Sequence, residues 1–342
     1  MSAGNGRLRV AVAGATGYIG MQCVALAAAH PRLELHRVLA RSTAGRRYSD
    51  VVPGSGVDLE IGDGLDVGSA DVVLCALPHT EAAAHAAEWM AAGAAVVDMS
   101  ADFRLRDVAA WEATYRVTHP APELCATAVY GLVELHRDEL RDAALIAAPG
   151  CYPTASILAV APAVAAGLVE NDVVVDCKSG VSGAGRSPGM GVHFSELNES
   201  VHAYGVEGHR HKGEMTQELA RAAGAEVRVT FVPHLVPMTR GILATAYLRP
   251  RAGVSVADVR AAYDEFCGSQ PCLRIDTVPP RTKSVSGANV AALHVGDQEG
   301  VAVVTCAVDN LIKGAAGQGI QALNVRMGWE ETEGLPLRAT WP

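Results

Sequence analysis

Aromatic side chains are scarce in this chain: 4 Phe, 8 Tyr and 4 Trp in 342 residues, although nearly half of all residues are hydrophobic. A core so composed is filled by Ala, Val and Leu, as in α/β enzymes. A basic cluster is missing too. The formal net charge is -9 and Lys and Arg form no stripe, which excludes nucleic acid as the expected partner. No apolar run is long enough to span a bilayer, since the longest candidates are interrupted by Pro, Gly or charge. The start, "MSAGNGRLRVAVAGATG", lacks a signal-peptide core and reads as a strand entering a glycine turn, so a cytoplasmic location without membrane contact is expected. The eight cysteines show no C-x-x-C and no zinc-type pairing; only Cys267 and Cys272 are near one another. In a reducing compartment most serve as small buried hydrophobes. Internal repeats and low-complexity linkers are also absent.

What is present is an alternation. "LRVAVAG" (8–14), "LELHRVLA" (33–40), "ADVVLCALP" (70–78), "AAVVDMSA" (94–101) and "ALIAAPG" (144–150) read as strands. Helical stretches at 19–30 and 80–93 separate some of them. Strands without polar alternation, joined by helices, predict a parallel sheet covered on both faces. After residue 150 the texture changes: 172–186, 226–250 and 300–310 read as longer strands of a mixed, largely antiparallel sheet. The expected fold is therefore α/β: a Rossmann-type domain over 1–150, an α+β catalytic and oligomerisation domain over 151–312, and a C-terminal helical segment, 313–342, returning to the first domain.

"GATGYIG" (14–20) directly follows the first strand and opens the first helix. Gly14 suits a tight turn, Gly17 lets backbone N–H groups approach a pyrophosphate, and Gly20 lets the helix pack on its strand. A glycine turn without a ligand is the alternative. The second strand runs into "ARSTAGRR" (40–47), which carries Arg41, Ser42, Arg46 and Arg47 but no acid for a ribose 2′-hydroxyl. That loop suits a 2′-phosphate, hence NADP(H), unless it is an ordinary solvated basic loop.

Cys151 lies in "AAPGCYPTA" (147–155), between a Pro-Gly turn and a proline placed for the first helical turn. A helix N-terminus favours the thiolate, so Cys151 is the candidate nucleophile. A buried structural cysteine, the alternative, fits poorly beside a Pro-Gly turn. A thiolate together with a nicotinamide site points to reduction of an activated acyl group through a thioester. "GHRHKGEM" (208–215) adds His209 and His211, which share a face if the segment is extended. Acid/base work, an H-x-H metal pair and a surface loop compete there.

These motifs resemble, in order and over nearly the whole length, the N-acetyl-γ-glutamyl-phosphate reductase family of the aspartate-semialdehyde dehydrogenase-like superfamily. Beside "GATGYIG" and "APGCYPTA", the blocks "LPH" (77–79), "DMSADFRL" (98–105), "SGVSGAGR" (179–186), "HRHKGEM" (209–215), "PHLVPMTRGIL" (233–243) and "DNLIKGAAGQGIQALN" (309–324) carry the likeness. The chain departs from the family pattern at Lys212-Gly213, where Thr-Pro is usual, and at Val133, where Pro is usual. The resemblance implies NADPH-dependent reduction of N-acetyl-γ-glutamyl phosphate to N-acetyl-glutamate semialdehyde in arginine biosynthesis. It implies Cys151 as nucleophile, His211 as acid/base, and His209 binding substrate or exchanging roles with it; if neither histidine serves, His234 is the next residue to test. It implies Arg104 and Arg186 as anion anchors. It also implies a cofactor set of Gly14, Thr16, Gly17, Tyr18, Ile19, Arg41, Ser42, Pro78, Ser182, Gly183, Asn310 and Gln318, no metal, and a homo-oligomer, tetramer or dimer. Two rivals remain: a reductase of a homologous acyl phosphate (aspartyl or amino-adipyl), and a catalytically silent NADP-binding sensor.

Overall fold

A computed structural model describes residues 6–341. The chain forms two compact units. One ends at Pro149 and is completed by Ala315–Leu335; the other is Gly150–Gly314, completed by the segment beginning at Pro336.

The first unit holds β1 (Leu8–Ala13), β2 (Leu33–Leu39), β3 (Ile61–Gly62), β4 (Val72–Cys75), β5 (Ala95–Asp98), β6 (Val129–Tyr130) and β7 (Leu145–Ala147). They pair in the order β3-β2-β1-β4-β5-β7-β6, every ladder parallel. Both faces are covered. Val10 and Val12 join the core under helix α1 (Tyr18–Ala29) and the C-terminal helix Gly317–Arg326, whereas Ala11 and Ala13 join the core under α2 (Glu81–Ala91). This two-sided burial is why the strands lack polar alternation. The order reverses between β1 and β4, and the crevice outside the carboxyl ends at such a reversal is where α/β sheets bind ligands.

The second unit is a seven-stranded mixed sheet: β8 (Asp172–Ser179), β9 (His202–Ala203), β10 (Arg228–Leu235), β11 (Ile242–Leu248), β12 (Leu273–Ile275), β13 (Ala291–Gln298) and β14 (Val301–Val308), in the order β12-β13-β14-β11-β8-β10-β9. The β8–β10 and β12–β13 ladders are parallel and the others antiparallel. Helix α3 (Cys151–Ala165) packs on β11 and β14 and against α4 (Lys212–Ala223) and α5 (Val256–Gly268). It is apolar all round, and Tyr152 to Val164 are buried without a break, as expected of a helix inside a domain. Burial alternates along β8, with Val173, Val175, Cys177 and Ser179 inside and Val174, Asp176 and Lys178 half-buried on the opposite face.

Three readings of the sequence are refined. The strand expected over 172–186 stops at Ser179, because Gly180 turns the chain so tightly that a Cβ there would lie 2.8 Å from the Met238 carbonyl oxygen. The run 226–250 is two strands, broken before Gly241, whose φ is +109°. The helix expected from 313 begins as a π-turn, Ile312–Ala316, before becoming regular. Among the described residues no helix is long and apolar enough to cross a membrane.

Candidate active site

In the first unit the three loop glycines have different duties. Gly14 has φ +78°, and a Cβ on it would lie 2.4 Å from the Ala76 carbonyl oxygen. A Cβ on Gly20 would lie 2.0 Å from the Gly14 carbonyl oxygen. Both are demanded by the fold. Gly17, the N-cap of α1, has negative φ, and a Cβ there would meet only Gly14 O, at 3.5 Å. The first N–H groups of α1 beside it have no intrahelical acceptor. Thr16 is half-buried, Tyr18 is exposed, and Ile19 packs into the core. Tyr48, fully buried, donates its hydroxyl to Ala15 O at 3.1 Å and clamps the loop, a role the sequence did not single out.

Arg41 and Ser42 are exposed in a short 3₁₀ turn after β2, and Arg41 pairs with Glu81 at 3.1 Å. Arg47 pairs with Asp58 at 3.1 Å, and Arg46 is exposed. Pro78 is exposed beyond the carboxyl end of β4. Gln318 is fully buried and donates to Gly131 O at 2.8 Å. Arg104 is buried; its Nε donates to Ala148 O at 2.9 Å and its Nη2 to Met99 O at 2.9 Å, bracing main chain beyond β7 and β5.

In the second unit Cys151 is the first residue of α3, after N-cap Gly150. Seven of the eight cysteines are buried and Cys151 alone is partly exposed. Burial pushes the thiols of Cys23 and Cys177 up to about 12, and that of Cys125 up to about 11, so these are inert fillers. The N-cap N–H of Gly150 donates at 3.0 Å to Oε2 of Glu214, a carboxylate only 1% exposed. Gly314 approaches from the π-turn: a Cβ on it would lie 3.0 Å from the Cβ of Cys151. The fully buried Asp309 carboxylate fixes that turn, accepting from Leu311 N at 2.9 Å and from Gly287 N at 2.6 Å and pairing with Arg240 at 3.1 Å.

His211, buried, is the N-cap of α4, and its Nε2 lies 4.0 Å from Oε1 of Glu214. One carboxylate therefore faces both the start of the cysteine helix and this imidazole. The segment is a turn and not extended; the histidines meet because the turn folds their rings together, centroids 4.9 Å apart. His209 Nδ1 accepts the His211 N–H at 3.2 Å, which leaves the ring proton on Nε2. Burial, and next the Arg210 charge, pull His209 down to about 4, so it is neutral at neutral pH. Tyr152 stands edge-on to both rings, at 5.6 and 5.9 Å, and its hydroxyl lies 2.8 Å from that of Tyr204. His234 projects its ring towards Asp176, Nδ1 to Oδ1 at 3.4 Å.

Asn310 Nδ2 donates to Ser182 Oγ at 2.9 Å and its Oδ1 accepts from Gly241 N at 2.7 Å. Ser182, Gly183 and Asn310 thus share one loop lock, with Gly183 beside the Asn310 amide. Arg186 is exposed just beyond Gly185. Among the described residues no group of three or more His, Cys, Asp or Glu is arranged to hold a metal ion.

The sequence matches the family model "Semialdehyde dehydrogenase, NAD binding domain" over residues 9–143 and "Semialdehyde dehydrogenase, dimerisation domain" over residues 151–310. A relative from Dehalococcoides mccartyi is 44% identical over 341 residues, covering 98% of this chain and 99% of its own, and is named N-acetyl-gamma-glutamyl-phosphate reductase. One from Azotobacter vinelandii with the same name is 45% identical over 351 residues, covering 98% and 100%. Among solved structures, aspartate semialdehyde dehydrogenase II from Vibrio cholerae superposes with TM-score 0.73 at 15% identity, covering 94% of this chain and 98% of that one. The Candida albicans aspartate semialdehyde dehydrogenase with NADP gives TM-score 0.68 at 19% identity, covering 93% and 98%. At such identities the superpositions speak for the fold alone.

Proposed function

The chain belongs to the N-acetyl-gamma-glutamyl-phosphate reductase family, and from that premise we propose that Cys151 is the nucleophile, His211 the acid/base and His209 a substrate-binding donor. The reaction is the NADPH-dependent reduction of N-acetyl-γ-glutamyl phosphate to N-acetyl-glutamate semialdehyde with release of phosphate, a step of arginine biosynthesis.

The first unit fits the cofactor. Gly17 leaves the N-terminus of α1 uncovered at the β1/β4 reversal, where a pyrophosphate is held by backbone N–H groups. Thr16, Tyr18 and Ile19 belong to that cradle, with Arg41 and Ser42 reaching the 2′-phosphate. Pro78 and Gln318 of the same unit complete the set; Ser182, Gly183 and Asn310, which the family likeness adds, lie in the second unit. NADPH, when bound, supplies the hydride that reduces the acyl carbon.

Cys151 Sγ attacks the γ-acyl carbon; a C–S bond forms, the C–O bond to phosphate breaks, and a thioester remains. His211 takes the thiol proton and passes it to the departing phosphate, then recharges from solvent. After reduction His211 protonates the hemiacetal oxygen. It takes that proton back as the C–S bond breaks, which releases the aldehyde and restores the thiolate. Neutral His209, with its proton on Nε2, donates a hydrogen bond to the substrate rather than exchanging a proton. Glu214 holds Gly150 and faces His211, so it orients nucleophile and acid/base together. Arg186 is an anion anchor, and Arg104 acts by bracing the strand ends it binds.

The observation that carries this reading is Cys151 itself: the one partly exposed cysteine, at the amino end of a buried helix whose N-cap is tied to Glu214. The outer face of the second sheet, with half-buried Val174, Thr245 and Val303 and exposed Tyr247, supports assembly into a homo-oligomer. Eight free cysteines suit the cytoplasm. The test is phosphate-dependent NADP⁺ reduction by the purified chain with N-acetyl-glutamate semialdehyde. Activity lost in Cys151→Ala is the expected result; undiminished activity overturns the assignment.

A further inference from the structure

Thr80 is a β-branched residue with φ +74°, a left-handed conformation that such residues adopt only under constraint. It is the N-cap of α2, yet its own side chain makes no capping bond. The cap comes from Asp102. This carboxylate, fully buried, accepts the Thr80 N–H on Oδ1 at 2.7 Å and the Ala83 N–H on Oδ2 at 2.9 Å. Asp102 thereby takes the N-cap and N3 donors of a helix it does not belong to, and places negative charge at its positive end. Asp102 is itself held. Its N–H donates to Ser100 Oγ at 3.1 Å, and its carbonyl oxygen lies 2.9 Å from His119 Nε2. The His119 Nδ1 accepts from Ala121 N, so Nε2 is the donor.

The segment so constrained is not a remote surface turn. Its start, Ala76, is the backbone against which Gly14 packs without room for a Cβ. Its end, Glu81, pairs with Arg41. Residues 76–81 therefore touch both the glycine loop and the basic loop at the carboxyl edge of β1 and β4. We propose that Asp102 is a positioning residue for the dinucleotide: by holding Thr80 left-handed, it sets the 76–81 wall of the cofactor crevice. This rests on the cofactor reading above, which Gly17→Ala tests separately.

The two contributions can be separated in the full-length enzyme with NADPH as the probe. Asp102→Asn keeps one acceptor but presents an amide N–H₂ to the other backbone donor. The NADPH Kd, read by fluorescence titration, is expected to rise roughly 5–30-fold, the fold-change matching the usual penalty of a left-handed non-glycine residue no longer held. KM for phosphate and for the aldehyde should stay within about twofold, a split that general destabilisation does not produce. Glycine adopts positive φ without penalty, so Thr80→Gly in the Asp102→Asn background should restore NADPH binding to within about threefold of the parent. The proposal is overturned if Asp102→Asn leaves Kd within twofold, if all substrates weaken together, or if Thr80→Gly restores nothing. Should Asp102→Asn fail to fold, the double variant must fold and bind. If it does not, the carboxylate supports the unit as a whole and the proposal is wrong.

Discussion

Gly17→Ala separates the glycine proposed to serve the cofactor from glycines that the fold demands. The φ of Gly17 is −76°, which alanine adopts freely, and the added methyl would meet only Gly14 O, at an ordinary 3.5 Å. The empty protein should therefore fold with unchanged stability, or gain up to about 0.4–1 kcal/mol because the unfolded chain loses freedom. The same methyl is added at the N-cap of α1, whose first N–H groups form the proposed pyrophosphate cradle. Displacing one charge-assisted hydrogen bond to a phosphate removes roughly 1.5–3 kcal/mol, which is about a 10- to 150-fold rise in the NADPH Kd. Gly20→Ala should do the opposite. Its methyl would lie 2.0 Å from the Gly14 carbonyl oxygen, so α1 must shift and the melting temperature must fall. Thermal melts of the empty proteins and fluorescence titration with NADPH read the two effects apart. If Gly17→Ala binds NADPH like the parent, the loop does not cradle the pyrophosphate and the cofactor assignment fails.

Cys151→Ala should abolish turnover while leaving the NADPH Kd within about twofold, and iodoacetamide should inactivate only the parent; residual activity above a tenth of the parent rate would rule out a thioester. His211→Asn should lower kcat by roughly 10²–10⁴ and flatten the pH–rate profile, the range for losing a general acid–base group. His209→Asn should act chiefly on KM, and the reverse pattern would exchange the two roles. His209 also predicts a pH effect on stability. Its value falls from 6.5 to about 4 on folding, so between those pH values the unfolded chain holds a proton that the folded chain lacks. Stability from this group is present above pH 6.5 and lost as pH falls towards 4, by at most about 1.4 kcal/mol per pH unit and less where solvent screens the site. Urea titrations from pH 7 to 4.5 should show a shallower loss in His209→Gln. Arg41→Ala should narrow the ratio of kcat/KM for NADPH over NADH, which an equal ratio in parent and variant would contradict.

The parallel sheet was legible because two-sided burial removes polar residues from its strands: "LRVAVAG" and "ADVVLCALP" cannot be amphipathic when α1 and α2 cover opposite faces. The glycine loop was legible for a related reason, since Gly14 and Gly20 answer to backbone atoms within the same short stretch or on the adjacent strand end. Cys151 stood out because local punctuation, Pro149-Gly150 before it and Pro153 after it, already marks a helix start. The histidine turn did not. Two polar residues two apart would share a face in an extended segment, and only the fold of 205–211 decides that their rings meet edge-to-face across a turn.

The partners of these residues lie far away in sequence, and no local pattern announces them. Glu214 reaches Gly150 across 64 positions, Asp309 ties Gly287 and Arg240 to the turn beside Cys151, and Asp102 caps a helix 19 positions earlier. Each is a buried carboxylate whose worth depends on which backbone N–H groups the fold brings within hydrogen-bonding distance. The amino-acid sequence by itself determined the class of the elements and singled out Cys151 as the candidate nucleophile, because those follow from periodicity, turn chemistry and helix ends. Only the tertiary structure decided which buried carboxylates hold Gly150 beside Cys151, face His211 and cap Thr80, because a buried charge must be satisfied in space, by whatever donor the packing delivers.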